Sequence, residues 1–198
     1  MDALRRALAQ WLPGLADDAL ARAAADFAPK RLDKGQPLLR HGDVWRHVLW
    51  IERGALRLYF TRSDGREFNK NFFLEGALLC PLTPAMWGEP SLFEIGALEP
   101  GVVWRADAAS WRARLDAVGA WEPLRTDLLA RLVSHKLQRE HDLLTLDARR
   151  RYAAFCAREP GIAERIALGH LASYLGITDV SLSRIRRHAG AVPDRLNI

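Results

Sequence analysis

Leu168-Gly-His-Leu171-Ala172-Ser-Tyr-Leu175-Gly176-Ile177-Thr178-Asp179-Val180-Ser181-Leu182-Ser183-Arg184-Ile185-Arg186-Arg187 is the stretch on which the reading of this chain turns. Leu168, Leu171, Ala172 and Leu175 fall on one helical face, and Ala172 is small where a second helix must come close. Gly176 supplies the left-handed turn that glycine adopts at least cost. Thr178 caps the next helix, expected over 178–188, and Asp179 in its first turn suits the helix dipole. Leu182, Ile185 and Ala189 point back at the first helix. Val180, Arg184 and Arg187 stand on the other side, flanked by Ser181 and Ser183. A helix-turn-helix presents its reading face to the major groove in this way. Arginine can hold guanine through two hydrogen bonds, and a valine methyl can meet that of thymine. The candidate DNA-binding residues are therefore Thr178, Asp179, Val180, Ser181, Ser183, Arg184 and Arg187. The plainer alternative is a helical hairpin with a solvated basic face.

Upstream, Asp147 reads as a cap, and a short helix through Tyr152, Phe155 and Cys156 runs until Glu159-Pro160-Gly161 stops it. Arg149 to Arg151 reads as a solvated turn, with contact to a phosphate as the alternative. Across 121–146 the apolar period is helical over ~39 Å at ~1.5 Å per residue. Trp121, Leu124, Leu128, Leu132, Leu143 and Leu146 fill one side, and Leu129, Val133, Leu137 and Leu144 extend the arc past half the circumference. One core needs an apolar stripe of only about 100°. The second surface is best supplied by the same helix of another subunit, with Leu128 and Leu132 in the contact. A central helix in one monomeric core is the alternative.

Between residues 31 and 105 the texture is that of strands. Branched and aromatic runs at 48–51, 56–60, 67–74, 92–98 and 102–104 alternate with turn signals, of which Asp64-Gly65 is the strongest hairpin marker. Short strands at this spacing predict a small antiparallel barrel or roll. Two short helices precede them, one carrying Leu4, Leu8, Trp11, Leu12 and Leu15, the other over 17–27.

The formal charge is +5, and from residue 147 onward nine arginines face five carboxylates, so +4 of it lies in the last quarter. A basic end favours a polyanionic partner. Cys80 and Cys156 have no disulfide or metal spacing and read as buried thiols. His41, His47, His135, His141, His170 and His188 show no i,i+4 pairing, so no metal site or cofactor is expected. Asp2, Arg5, Arg6, Asp17 and Asp18 interrupt any signal sequence, no stretch suits a membrane helix, and the cytoplasm is the expected compartment. No nucleophile elbow, P-loop or dinucleotide fingerprint is present. No catalytic residue is expected, and the chain reads as a non-enzyme.

The run from Ala172 to Thr178, followed by Ser181-Leu-Ser-Arg-Ile-Arg-Arg187, resembles the helix-turn-helix of the CRP/FNR family of bacterial regulators. Arg151-Tyr152-x-x-Phe155 and Glu159-Pro160-Gly161-Ile162 resemble one branch of it, and 37–60 is similar to its cyclic-nucleotide-binding-like domain. The resemblance implies an α+β chain: an N-terminal antiparallel β-roll (a double-stranded β-helix), a long dimerisation helix and a C-terminal helix-turn-helix. The corresponding boundaries are 1–120, 121–146 and 147–198. It further implies a homodimer, a palindromic duplex DNA operator, contact with RNA polymerase and a small-molecule effector bound by the roll, with no membrane partner.

Two departures qualify the resemblance. Relatives that bind cyclic AMP carry a Gly-Glu pair and an Arg-Ser or Arg-Thr pair in the phosphate cassette; here the positions read Cys80-Pro81 and Pro90-Ser91. A cyclic phosphate would lose its charge partner. Candidate effector-pocket residues are Trp87, Gly88, Glu89 and Ser91, although Gly88-Glu89 reads equally as a turn. Only eleven residues follow Arg187, too few for the family's two-stranded wing, which is expected to be missing or vestigial. The second functional reading is a ligand-sensing or scaffold protein of the same fold that no longer binds DNA.

Overall fold

The structure, a computed structural model, describes residues 1–190, with side chains through His188. The expected loss of the wing and the inward side of Ala189 lie outside the described residues and side chains.

Eight strands form two four-stranded antiparallel sheets among the described residues. One has the order β1 (Ala28–Leu32), β8 (Gly101–Asp107), β3 (His47–Arg53), β6 (Leu78–Leu79). The other runs β2 (Pro37–Leu39), β7 (Glu94–Ala97), β4 (Leu56–Thr61), β5 (Glu67–Phe73). Ile51, Leu56, Ile95 and Val103 are fully buried between the sheets. Each such side chain stabilises the roll by about 1.5–3 kcal/mol relative to exposure. Asp64-Gly65 turns the chain as expected: β4 and β5 pair from Leu56↔Phe73 to Thr61↔Glu67, and the Arg62 N–H donates to the Arg66 carbonyl at 2.9 Å. Gly101 is required by close approach, because a Cβ there would meet the Arg53 carbonyl oxygen at 2.3 Å.

The outer face of the first sheet is sealed by α1 (Asp2–Trp11), α2 (Asp17–Ala25), α4 (Ala108–Asp116) and the start of α5 (Trp121–Thr145). Trp111 is the centre of this second core. It is fully buried, meets Phe27 edge to face at 5.6 Å, and donates its indole N–H to the Ala23 carbonyl. The helix α3 (Pro84–Gly88) starts from Thr83, whose side chain accepts from the Met86 N–H.

Helix α5 has the expected length, but the division of its apolar arc differs from expectation. Leu128 is 8% exposed within its own core, and Leu132 packs against that core, so neither supplies a free face. Val133, Leu137 and Leu144 are 52%, 61% and 78% exposed. With Ala130 and Glu140, also exposed, they follow a three-four spacing along one side of the helix. That spacing is the seam of a two-stranded coiled coil.

The C-terminal unit contains α6 (Ala148–Arg158), α7 (Pro160–Arg165), α8 (Leu168–Leu175) and α9 (Asp179–Gly190). Asp147 caps α6 by accepting from the Arg150 N–H at 2.9 Å. Pro160 ends α6 as expected and then opens α7 from its first turn, where its missing N–H costs nothing.

Candidate nucleic-acid interface and effector cavity

The turn between α8 and α9 is built from backbone hydrogen bonds and one side-chain cap. Gly176 has φ 68°, and the Gly176 and Ile177 N–H groups donate to the Ser173 and Ala172 carbonyls at 3.3 and 3.0 Å. This is a Schellman closure. Thr178 Oγ1 accepts from the Ser181 N–H at 3.1 Å and lies 2.9 Å from the Ser181 hydroxyl. Leu171, Ala172 and Leu182 are completely buried against one another, which fixes the angle between the helices.

With Leu182 held inward, Val180 is 60% exposed, and Arg184 and Arg187 are exposed on the outer side of α9. Neither arginine enters an ion pair among the described residues. Arg186 points the other way: its Nε donates to the Tyr152 hydroxyl and its Nη2 to the Ala163 carbonyl, both at 3.1 Å. Ser183 is half-buried. Asp179 leans toward the first turn of α8, where a Cβ on Gly169 would lie 3.2 Å from its carboxylate.

Arg151 does what sequence reasoning did not anticipate. It is not part of a solvated turn: its guanidinium donates to the Asp142, Leu143 and Leu146 carbonyls at the end of α5 and to the Leu175 carbonyl at the end of α8. One side chain thereby caps the C-termini of two helices, where cations are favoured. Beside it the Asp142 carboxylate is buried and accepts from Gln138 and Arg158. Burial alone would raise its pKa, but the hydrogen bonds from Gln138 and Arg158 outweigh that and hold it below the ordinary range.

Helix α8 rests on the roll. The Asn69 N–H donates to the Ser173 hydroxyl at 3.0 Å, and Asn69 Nδ2 to the His170 carbonyl at 3.2 Å. Tyr174 packs between Phe72 and Phe155 at 5.4 and 5.2 Å. Arg165 bridges to two carboxylates of the roll, donating to both oxygens of Glu75 at 2.7 Å and also to Glu99. The Arg165 guanidinium pulls the Glu75 carboxyl down to about 2.

A cavity of about 300 Å³ opens between the roll, α5 and the C-terminal unit. The roll contributes Trp45, Leu58, Phe73 and Phe93, and α5 contributes Leu128 and Leu132. Phe155, Ile162 and Tyr174 close it from the C-terminal side. The expected pocket residues do not line it. Trp87 turns away from the cavity toward the core beneath the first sheet, where it meets Trp121 edge to face at 5.9 Å, Gly88 and Glu89 are exposed, and the Ser91 hydroxyl is spent donating to the Phe93 carbonyl. Met86, the residue before Trp87, is the α3 residue that reaches the cavity. Cys80 lines it too, with its thiol pushed up to about 12 by burial and hence uncharged. Among the described residues no group of three or more His, Cys, Asp or Glu could hold a metal ion, and no helix is long and apolar enough to cross a membrane.

Residues 29–117 match the family described as the cyclic nucleotide-binding domain. No curated protein matches the chain in sequence. The likeness extends further among solved structures. FixK2 from Bradyrhizobium japonicum is similar at TM-score 0.72 and 19% identity, over 87% of this chain and 89% of that one. The c-di-GMP responsive global regulator CLP of Xanthomonas campestris gives 0.71 at 13% identity, over 89% and 92%. A protein of Eubacterium rectale assigned to the crp/fnr family of transcriptional regulators gives 0.70 at 16% identity, over 92% and 88%. Residues 29–117 thus match a cyclic nucleotide-binding domain, and the chain has the fold of these solved structures.

Proposed function

We propose that this protein is a sequence-specific, DNA-binding transcriptional regulator that acts as a homodimer under effector control exerted through its roll. The observation that carries the reading is the two-sidedness of α9: Leu182 is sealed against α8 while Val180 faces outward and Arg184 and Arg187 face outward with no ion pair among the described residues. An exposed guanidinium pair on a capped helix is suited to base edges and phosphates. The exposed seam of Ala130, Val133, Leu137 and Leu144 supports the homodimer, and a twofold pair of reading helices calls for a palindromic operator. Contact with RNA polymerase and a cytoplasmic location follow from the same reading, as does the absence of catalysis. A scaffold that no longer binds DNA is the reading that survives if duplex binding fails.

The test is duplex binding by two single variants over a salt series. Arg184→Ala loses about 1–3 kcal/mol per half-site and relaxes base preference. Arg187→Ala weakens binding to all sequences and lowers the salt slope by about one. Wild-type binding by both variants would remove α9 from the interface.

A further inference from the structure

Two lysines stand beside the cavity. Lys70, on β5, is half-buried, lines both the cavity and the groove next to it, and lies 5.5 Å from the rings of Phe60 and Phe93. Lys136, one α5 turn beyond Leu132, lines the same cavity. Neither makes an ion pair among the described residues. The other cations nearby are already engaged. Arg131 pairs with Asp127 at 2.8 Å, and Arg139 donates to the Tyr174 carbonyl. The carboxylate on the cavity wall, Glu159, is itself pushed toward its neutral form by burial. Burial, followed by Lys136 and Arg139, also lowers the Lys70 pKa, so its charge is held at a cost that an anion would relieve.

We propose that the cavity takes a compact organic anion with an apolar or aromatic body, its carboxylate on Lys70 and Lys136 and its body among Leu58, Phe73, Phe93 and Leu132. This deepens the reading of the roll as an effector domain and rests on it. The volume lies at the small end of the range for ligand pockets, about 300–1,000 Å³, and its lining is mostly apolar with few convergent charges. A nucleotide is a poor occupant, because the cassette positions offer Cys80-Pro81 and Pro90-Ser91 in place of a cation. The ligand also touches the C-terminal unit directly: Tyr174 belongs to α8, the first helix of the helix-turn-helix, and its hydroxyl lies 3.2 Å from His135 Nε2 on α5. Occupancy therefore bears on how α8 sits against the roll.

The experiment is calorimetric titration of the full chain with 1-naphthoate and octanoate, with the matched neutral amides, and with cyclic AMP. The carboxylates bind at least tenfold more tightly than their amides, and cyclic AMP binds more weakly than either acid. Lys70→Met abolishes the preference for acid over amide while leaving amide binding in place, and Lys70→Arg restores it. Amide binding by Lys70→Met reports that the pocket is intact. Equal affinity for acid and amide, no binding of either acid, or an unchanged preference in Lys70→Met would overturn the proposal. Duplex binding measured on the same preparations keeps the two readings apart. Its loss together with a retained acid preference breaks the DNA-binding reading alone, and tighter binding of cyclic AMP breaks the ligand class alone.

Discussion

In the first turns of α5, Trp121, Leu124 and Leu128 are sealed into the core beneath the first sheet, whereas Val133, Leu137 and Leu144 in its later turns leave half or more of their surface in contact with solvent. Both halves carry large apolar residues at helical spacing. What separates them is position: α1, α2 and α4 cover the beginning of the helix, and beyond Leu132, among the described residues, the roll and the C-terminal unit flank it on its other sides. The helix thus serves different purposes along its length. Its first half holds the chain's own core together, its middle turns form one wall of the cavity, and its second half leaves a seam of coiled-coil spacing exposed.

Substitutions in the two halves should therefore fail differently. Leu124→Ala removes a buried side chain and is expected to cost about 2–5 kcal/mol of stability, read from urea unfolding. A loss under about 1 kcal/mol would mean that the first half is not a structural anchor. Val133→Glu combined with Leu137→Glu should leave secondary structure intact and weaken self-association at least about a hundredfold, or roughly 2.7 kcal/mol, by sedimentation. An unaltered dimer would place the interface elsewhere.

Two smaller effects concern the C-terminal unit. Arg151→Met strips hydrogen bonds from the carbonyl ends of both α5 and α8, at an expected cost of about 1.5–3 kcal/mol, with faster amide exchange in α8. No change in exchange would show that the shared cap carries little. The last effect is acid-dependent and concerns how the C-terminal unit rests on the roll. The Glu75 carboxyl falls from its ordinary 4.5 to about 2, mainly through the hydrogen bond from Arg165. A depressed carboxylate adds stability that is fully present above about pH 4.5 and disappears as pH falls toward about 2. The stability gap between the wild type and Glu75→Gln should close over that window, and it should be modest, about 1 kcal/mol or less, because the pair is partly exposed. A gap that persists at pH 2 would exclude Glu75 as its source.

Elements whose pattern is local were legible in the sequence. Asp64-Gly65 turned a hairpin, Gly176 and Thr178 built the turn of the helix-turn-helix, and the long apolar period gave α5 almost to the residue. Strand β1 escaped because Pro29, Lys30 and Arg31 alternate with nothing: it is an edge strand with most of its side chains in solvent. The roles of Arg151 and Arg165 were hidden for a different reason. Arg151 meets backbone carbonyls on two helix ends, and Arg165 meets carboxylates far away in the chain, so no spacing announces either. That Met86 rather than Trp87 lines the cavity was not legible, because the two are neighbours on a short helix and the larger ring turned toward Trp121. Lys70 gave no signal at all, since an isolated lysine in a strand is ordinarily a solvated surface residue.

The central claim is that α9 of a twofold dimer reads duplex DNA, and selection of the full chain on a random duplex library, at stated salt, tests it most directly. The account predicts enrichment of an inverted repeat whose half-sites lie about one helical turn, roughly 34 Å, apart, with the enrichment lost in Arg184→Ala and in the Val133→Glu, Leu137→Glu pair. A pool with no enriched palindrome, or the same palindrome recovered by Arg184→Ala, would contradict it.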